Sequence, residues 1–456
     1  MTEDLLESIR GIVGEAGLLP AEAAAARSVG VWDERPVLAL GICRPASTEE
    51  LAAVMRLCHA SGQTVVTHGG RTGLVEGCVS TANDLVISLE RMNRVEHVDV
   101  TQGCMIVQAG TPLEVAQQAA AATDFMLALD LGARGSCTIG GNIATNAGGN
   151  RVLRYGMTRD MVLGLEAVLA DGTIISSMNR MLKNNAGFDL KQLFIGTEGS
   201  LGIVTRAVLR LYPAFRSEST ALVACNDFAG AAALLKYLDR ELGGYLSAFE
   251  CMWPEFYART AADPVLADSY GQYVLVESLG PDPEHDSEKF VSVLGDAMEQ
   301  GLITDAAIAK SEAERKILWA QRDNVEACLH PGPAFIFDVS LSISDMAAYV
   351  EEVRSRLDKQ WRGNDCYVFG HVGDGNLHFV ISVGAAEARQ QVEACVYEPL
   401  QQYGGSVSAE HGIGLEKKPW LGLSRSSAEV ALMRQLKSAL DPQALLNPGK
   451  VFDAAE

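Results

Sequence analysis

The sequence predicts an α+β fold in two domains, and three observations carry that expectation. The chain of 456 residues is longer than one hydrophobic core usually serves. Up to Pro213 the text runs as short β-branched strands separated by glycine-rich loops and helices. Beyond it, the order strand, helix, strand, strand, helix suggests an antiparallel sheet with helices on one face. The expected domains are 1–215 and 216–456.

Residues 1–30 place Leu5, Leu6, Ile9, Ile12 and Val13 at helical spacing, followed by an alanine-rich run after Pro20, and read as a helical outer cap. Ser47-Thr48-Glu49-Glu50 is a helix start with acidic residues in its first turn, and a helix is expected over 51–58. A β-branched strand over 64–67 runs into His68-Gly69-Gly70-Arg71-Thr72-Gly73. A glycine pair directly after a strand lets backbone N–H groups turn inward around an anion, although a tight turn explains the same letters. The loop matches neither the dinucleotide nor the Walker pattern. Strands follow over 85–88 and 105–108, and Thr111-Pro112 opens a helix over 113–121.

The stretch 131–150 holds six glycines in twenty residues, interleaved with Ile, Ala and Asn. Ordering so many glycines costs conformational entropy, so a large flat or phosphorylated ligand is expected against this backbone rather than a plain linker. Asp171-Gly172 turns a hairpin that begins at 162, and 183–205 alternates polar loops with a short helix before a strand over 207–211. In the second half, strands are expected over 220–225, 245–250, 273–278, 335–342, 366–369 and 378–383. Helices are expected over 231–238, 286–300, 312–330, 346–361 and, to close the chain, 428–440.

Composition narrows the function. Hydrophobic residues make up 48% and charged residues 21%, as in an ordinary globular enzyme. The formal charge of -21 repels nucleic acid and anionic membrane surfaces, so an anionic substrate would need a locally basic site. No apolar run approaches the ~20 residues of a membrane helix, and the acidic start shows no export signal, so a cytoplasmic protein is expected. The ten cysteines form no Cys-x-x-Cys pair and read as reduced, mostly buried small hydrophobes.

Two short stretches concentrate chemistry. Gly370-His371-Val372-Gly373-Asp374-Gly375-Asn376-Leu377-His378 packs two imidazoles, a carboxylate and a carboxamide among glycines, and Ser408-Ala409-Glu410-His411-Gly412-Ile413-Gly414 adds a carboxylate and a third imidazole. His371, His378 and Glu410 would make a two-His, one-carboxylate set for a divalent metal, leaving His411 free to move protons. The plainer reading, hydrogen-bonded core histidines, is equally open on spacing alone.

At this point the chain resembles a known family. Gly69-Gly70-Arg71-Thr72-Gly73-Leu74, the run from Gly132 to Gly149, Phe194-Ile195-Gly196-Thr197-Glu198-Gly199, Leu201-Gly202-Ile203-Val204, both histidine stretches and the terminal Asn447-Pro448-Gly449-Lys450 are similar to motifs of the flavin-dependent D-2-hydroxy acid dehydrogenases. These belong to the vanillyl-alcohol oxidase type, in the group of D-2-hydroxyglutarate and D-lactate dehydrogenases and the glycolate oxidase large subunit. The likeness covers roughly residues 40–453. It implies a two-subdomain PCMH-type FAD-binding domain, then a substrate or cap domain with an antiparallel sheet and helices, closed by a C-terminal helical segment.

The resemblance implies that FAD is held by Thr67, Gly69, Gly70, Arg71, Thr72, Gly73, Gly135, Ser136, Gly140, Gly141, Asn142, Thr145, Glu198, Gly199, Gly202, Ile203 and Asn447. Some relatives attach FAD through a histidine after the glycine pair. Arg71 stands there, so non-covalent FAD is expected and His68 is read as a loop residue. The metal, zinc or manganese, would fall to His371, His378 and Glu410, with His411 as the base, Asn376 bonded to the acid and Arg322 as its carboxylate clamp. Without the resemblance Arg322 reads as a surface ion pair. Glutarate-type members carry a lysine in the strand after that helix, whereas Phe335-Ile336-Phe337-Asp338 offers none, which leaves the substrate's length and second carboxylate open.

The expected reaction is oxidation of a D-2-hydroxy acid, D-2-hydroxyglutarate or D-lactate-like, with electrons passing to an electron-transfer flavoprotein, quinone or cytochrome; a homodimer stays open. Rival readings are a flavin-dependent synthase without net redox, like the alkyl-glycerone-phosphate synthases, and an electron-relay flavoprotein subunit.

Overall fold

The structure is a computed structural model and describes residues 2–267, 269–330 and 332–453. Of the described residues, those in 2–148, 157–214 and 410–453 form one compact unit, and those in 149–156 and 215–409 form a second.

In the first unit, helix Thr48–Ser61 links strand Gly41–Cys43 to strand Val65–His68, with strand Leu85–Ser88 between them and parallel to both. The parallel pairing follows from a crossover helix. Ser47 caps that helix by accepting from the Glu50 N–H at 3.2 Å, a contact worth about 1 kcal/mol, and Gly62 ends it in the left-handed region. Its buried face is Leu51, Ala52, Val54, Met55 and Cys58. A second, antiparallel sheet runs Val95–Asp99, Cys104–Gln108, Ile203–Arg210, Val162–Val168, Ile174–Ser177.

The chain's last segment closes this unit. The Val65 N–H donates to Leu445 O at 2.8 Å, and the Asn447 N–H donates to Val65 O at 2.8 Å. The buried Lys437 ammonium donates to Ser200 O, Leu446 O and Asp441. Burial lowers the Lys437 pKa, while Asp441 opposes that shift.

The second unit is one seven-stranded antiparallel sheet, in the order Asp305–Ile308, Ser217–Cys225, Gln272–Gly280, Leu246–Met252, Asp365–His371, Asn376–Ser382, Phe335–Ser340. Helices cover both faces rather than the one expected. Phe256 and Leu318, from helices Pro254–Thr260 and Glu312–Asp323, pack with Phe369 and Val380. Tyr349, on helix Met346–Gln360, meets the Phe379 ring edge-on at 5.8 Å. Phe379 and Val380 are strand neighbours and point to opposite sides, so their helices do too. A strand buried at every position, like Gln272–Gly280, signals cover on both faces.

Residues 149–156 belong to this unit, where Arg151 meets a carboxylate and Arg154 meets backbone carbonyls. Arg151 Nε lies 3.3 Å from Glu277 Oε1, and Arg154 donates to the carbonyls of Tyr245 and Leu279. Arg315 pairs with Glu218 at 2.5 Å. Burial and the neighbouring Glu277 push Glu218 up to about 7 despite both arginines.

Candidate active site

In the first unit the glycine loops converge, and their spacing leaves no room for side chains. A Cβ on Gly70 would stand 2.0 Å from Ser136 O and 2.8 Å from Cys137 Cα; one on Gly69 would stand 2.6 Å from Thr138 Oγ1. The loop after strand Val65–His68 is therefore pressed against the backbone leading into helix Ile139–Thr145. That helix, unforeseen in so glycine-rich a sequence, is capped by Thr138, which accepts from the Gly141 N–H at 3.3 Å.

Asn447 ties two further motifs to this cradle. Its Oδ1 accepts from the Thr67 N–H at 2.9 Å, and its Nδ2 donates to Glu198 O at 2.5 Å. The Glu198 carboxylate accepts from Ile413 N–H at 2.6 Å and Gly414 N–H at 2.8 Å. Burial raises the Glu198 pKa, while those two N–H groups and the charges of Lys417 and Lys450 oppose the shift. The glycines of the second histidine stretch now have a local reason. A Cβ on Gly412 would meet Glu198 Oε1 at 2.8 Å, and one on Gly414 would meet Val75 O at 1.8 Å.

Glu410 and His411 are half-buried and lie in bends. Asn447→Ala would leave the Thr67 N–H without its acceptor, a loss of about 1–3 kcal/mol. A lower melting temperature and a lower flavin-to-protein ratio are expected, each measured on the purified variant.

The expected cofactor residues divide by what already occupies them. Gly140 packs on Ala109 and its N–H donates to Ala109 O at 2.7 Å; Gly202 makes room for the Phe194 ring. Asn142 and Thr145 bond within their own helix region, and Ile203 is core. Arg71 has φ 56° and donates to Ser28 O at 2.8 Å, while Gly73, Gly135 and Ser136 are exposed and Thr72 and Gly141 half-buried. His68 is buried against Cys78 O at 2.9 Å, and burial lowers it to about 4. Two features of the cradle fit a phosphate-bearing, ring-bearing ligand such as FAD. Thr67 Oγ1 is buried with no hydrogen-bond partner among the described residues, and the buried Gly199 lets backbone approach it closely, where a Cβ would stand 2.6 Å from Asn447 Nδ2.

The second unit carries a separate polar cluster at the sheet's centre. His371 and His378 end and enter adjacent strands, and their rings meet at 5.3 Å in a T-shaped arrangement. His371 Nδ1 is 2.6 Å from Glu250 Oε1, Arg322 Nε donates to Glu250 Oε2 at 2.9 Å, and Arg322 Nη2 lies 3.4 Å from His371 Nε2. Burial alone would raise the Glu250 carboxyl, but the charges and hydrogen bonds of His371 and Arg322 bring it down to about 2. The Arg322 guanidinium lies over the Phe369 ring at 4.9 Å. Arg322 is thus buried in an ion pair, not on a helix surface.

Asn376 donates to Asp338 Oδ1 at 2.9 Å and to Val339 O at 3.0 Å, while its buried Oδ1 has no partner among the described residues. Asp338 is fully buried, 3.8 Å from His378 Nδ1, and also accepts from the Ala409 N–H at 3.0 Å. Glu250 and Asp338 were missed in the sequence, although each is the one acidic residue in an otherwise apolar strand, an expensive burial that calls for a partner. The donor chemistry fits a divalent cation: a metal-ligating imidazole commonly gives its other nitrogen to a carboxylate, as His371 does to Glu250.

Comparison with known proteins places this architecture. A FAD binding domain model matches residues 39–177, and a model described as FAD linked oxidases, C-terminal domain, matches residues 215–451. These models, with the relatives that follow, make the chain a FAD-dependent dehydrogenase. The mitochondrial D-2-hydroxyglutarate dehydrogenase of Bos taurus is 40% identical over 419 residues, covering 90% of this chain and 76% of its own. That of Xanthomonas citri pv. viticola is 39% identical over 437 residues, covering 92% and 90%. The chain belongs to the FAD-linked oxidase family that contains these enzymes. Among solved structures, p-cresol methylhydroxylase with substrate bound matches with TM-score 0.79 at 15% identity, covering 99% of this chain and 97% of that one. An alkyldihydroxyacetonephosphate synthase matches with TM-score 0.76 at 17% identity, covering 98% and 84%. At such identities the likeness shows the fold alone. No described helix is long and apolar enough to cross a membrane.

Proposed function

We propose that the chain oxidises a D-2-hydroxy acid, D-2-hydroxyglutarate or a D-lactate-like acid, to the 2-oxo acid. The observation that carries this reading is the buried cluster of Glu250, His371 and Arg322, which pairs an imidazole whose proton is fixed with a guanidinium beside it. The relatives named above support the substrate class. Bound without a covalent link, since Arg71 offers no attachment point, FAD supplies the acceptor for the C2 hydride. His371, His378 and Glu410 would hold a zinc or manganese ion, which would supply Lewis acidity toward the hydroxyl.

Arg322 binds the substrate carboxylate through its terminal nitrogens, because its Nε is engaged by Glu250. Asn376, whose buried Oδ1 has no partner among the described residues, hydrogen-bonds the bound acid. A ring nitrogen of His411 takes the hydroxyl proton as the C–H bond breaks. Electrons leave to an external acceptor, an electron-transfer flavoprotein, quinone or cytochrome.

The test is a panel of D- and L-2-hydroxy acids with a dye acceptor, before and after a chelator. Turnover of D-acids alone is expected, lost with the chelator and restored by zinc or manganese. Flavin that never bleaches under anaerobic D-acids would favour the synthase, and no turnover with dye would favour the relay subunit.

A further inference from the structure

We infer that Glu250 is the positioning residue that ties the cation-binding imidazole to the carboxylate clamp, a role that rests on the reading just given. Strand pairing sets it directly opposite His371, and it is 1% exposed, so water cannot substitute for its partners. Each carboxylate oxygen takes one cationic or hydrogen-bonding partner from a different element: Oε1 the His371 ring at 2.6 Å, Oε2 the Arg322 Nε at 2.9 Å.

Two consequences follow from the chemistry of an ionised carboxylate, which only accepts hydrogen bonds. The His371 proton is held on Nδ1, which puts the lone pair on Nε2, the atom that faces Arg322 Nη2 at 3.4 Å here and that a metal would take in its place. Arg322 is held by its Nε edge and by the Phe369 ring beneath it, which fixes the direction of its terminal edge, where Nη2 faces His371 Nε2 at 3.4 Å and Nη1 faces Asp323 Oδ1 at 3.6 Å. A single acid therefore orients both a metal ligand and a substrate ligand, and loosening it disturbs both.

The test compares wild type with Glu250→Gln, which keeps the shape and removes the charge. Metal affinity is measured with zinc or manganese alone, by competition against a chelator. The expected weakening is about 10- to 100-fold, the usual size for losing a carboxylate behind a ligating histidine. At saturating metal, KM for the D-acid is expected to rise. Removing a negative charge would by itself tighten an anion, so a rise reports lost orientation of Arg322 and a fall reports charge alone.

Unchanged metal affinity together with an unchanged or lower KM overturns the inference. A wild type that never holds metal overturns the metal reading above and the metal half of this one, while the KM comparison still decides the Arg322 half. Flavin content and melting temperature report folding. If Glu250→Gln does not fold, Glu250→Asp, which keeps the charge but draws it back by one methylene, carries the same expectations at smaller size.

Discussion

His411→Ala is expected to slow oxidation of a D-2-hydroxy acid by about 100- to 10,000-fold in kcat, the usual contribution of a positioned general base. The alcohol must lose a proton as its C2 hydrogen leaves as hydride, and imidazole is the side chain whose ordinary titration falls nearest neutral pH. The variant should keep its flavin, because the backbone of this segment is held by Glu198 through Ile413 and Gly414, bonds that do not involve the His411 side chain. It should also keep its metal, since the proposed ligand set of His371, His378 and Glu410 does not include His411. Steady-state rates with a dye acceptor, alongside flavin and metal content, check this. Wild-type kcat in the variant would remove His411 as the base.

Gly70→Ala is expected to yield protein largely without flavin. The new methyl would stand 2.0 Å from Ser136 O, far inside van der Waals contact, and both neighbours are backbone that cannot rotate away. The two glycine loops must then part, at a stability cost of roughly 1–3 kcal/mol for overpacking. Gly77→Ala is the matched control, since nothing lies within 4 Å of its Cβ. The flavin-to-protein ratio after purification, and the melting temperature with and without added FAD, distinguish the two. A Gly70→Ala protein with a full flavin complement would show that the loops do not form the cradle.

Much of the scaffold was legible from local pattern. Strand Leu85–Ser88 and helix Leu113–Ala121 begin and end where periodicity and the Thr111-Pro112 start placed them, because short-range packing and caps decide such elements. Other parts follow rules that a window of sequence does not contain. Strand Val95–Asp99 is mostly half-exposed and lacks alternation, and helix Ile139–Thr145 holds two glycines and forms on Thr138 and Ala109. The long helix expected over 312–330 stops at Asp323 and continues as a tighter turn over Val325–Leu329; Asn324 there donates to Thr260 O at 3.0 Å. The cap expected over 1–30 is α-helical in Thr2–Val13 and Ala21–Ala25, with a 3-10 turn at Glu15–Gly17 and strand Leu18–Pro20 between them.

Sequence alone determined which chemical groups this protein brings: the glycine loops, the histidine stretches, Arg322 and the closing Asn447 could all be named from the letters. Only the tertiary structure decided their partners. Glu250 meets His371 across 121 positions, and Asn447 meets Thr67 across 380. The reason is physical: strand register and loop closure pair residues according to the whole sheet and core, and no local propensity encodes which distant carboxylate will face a given imidazole.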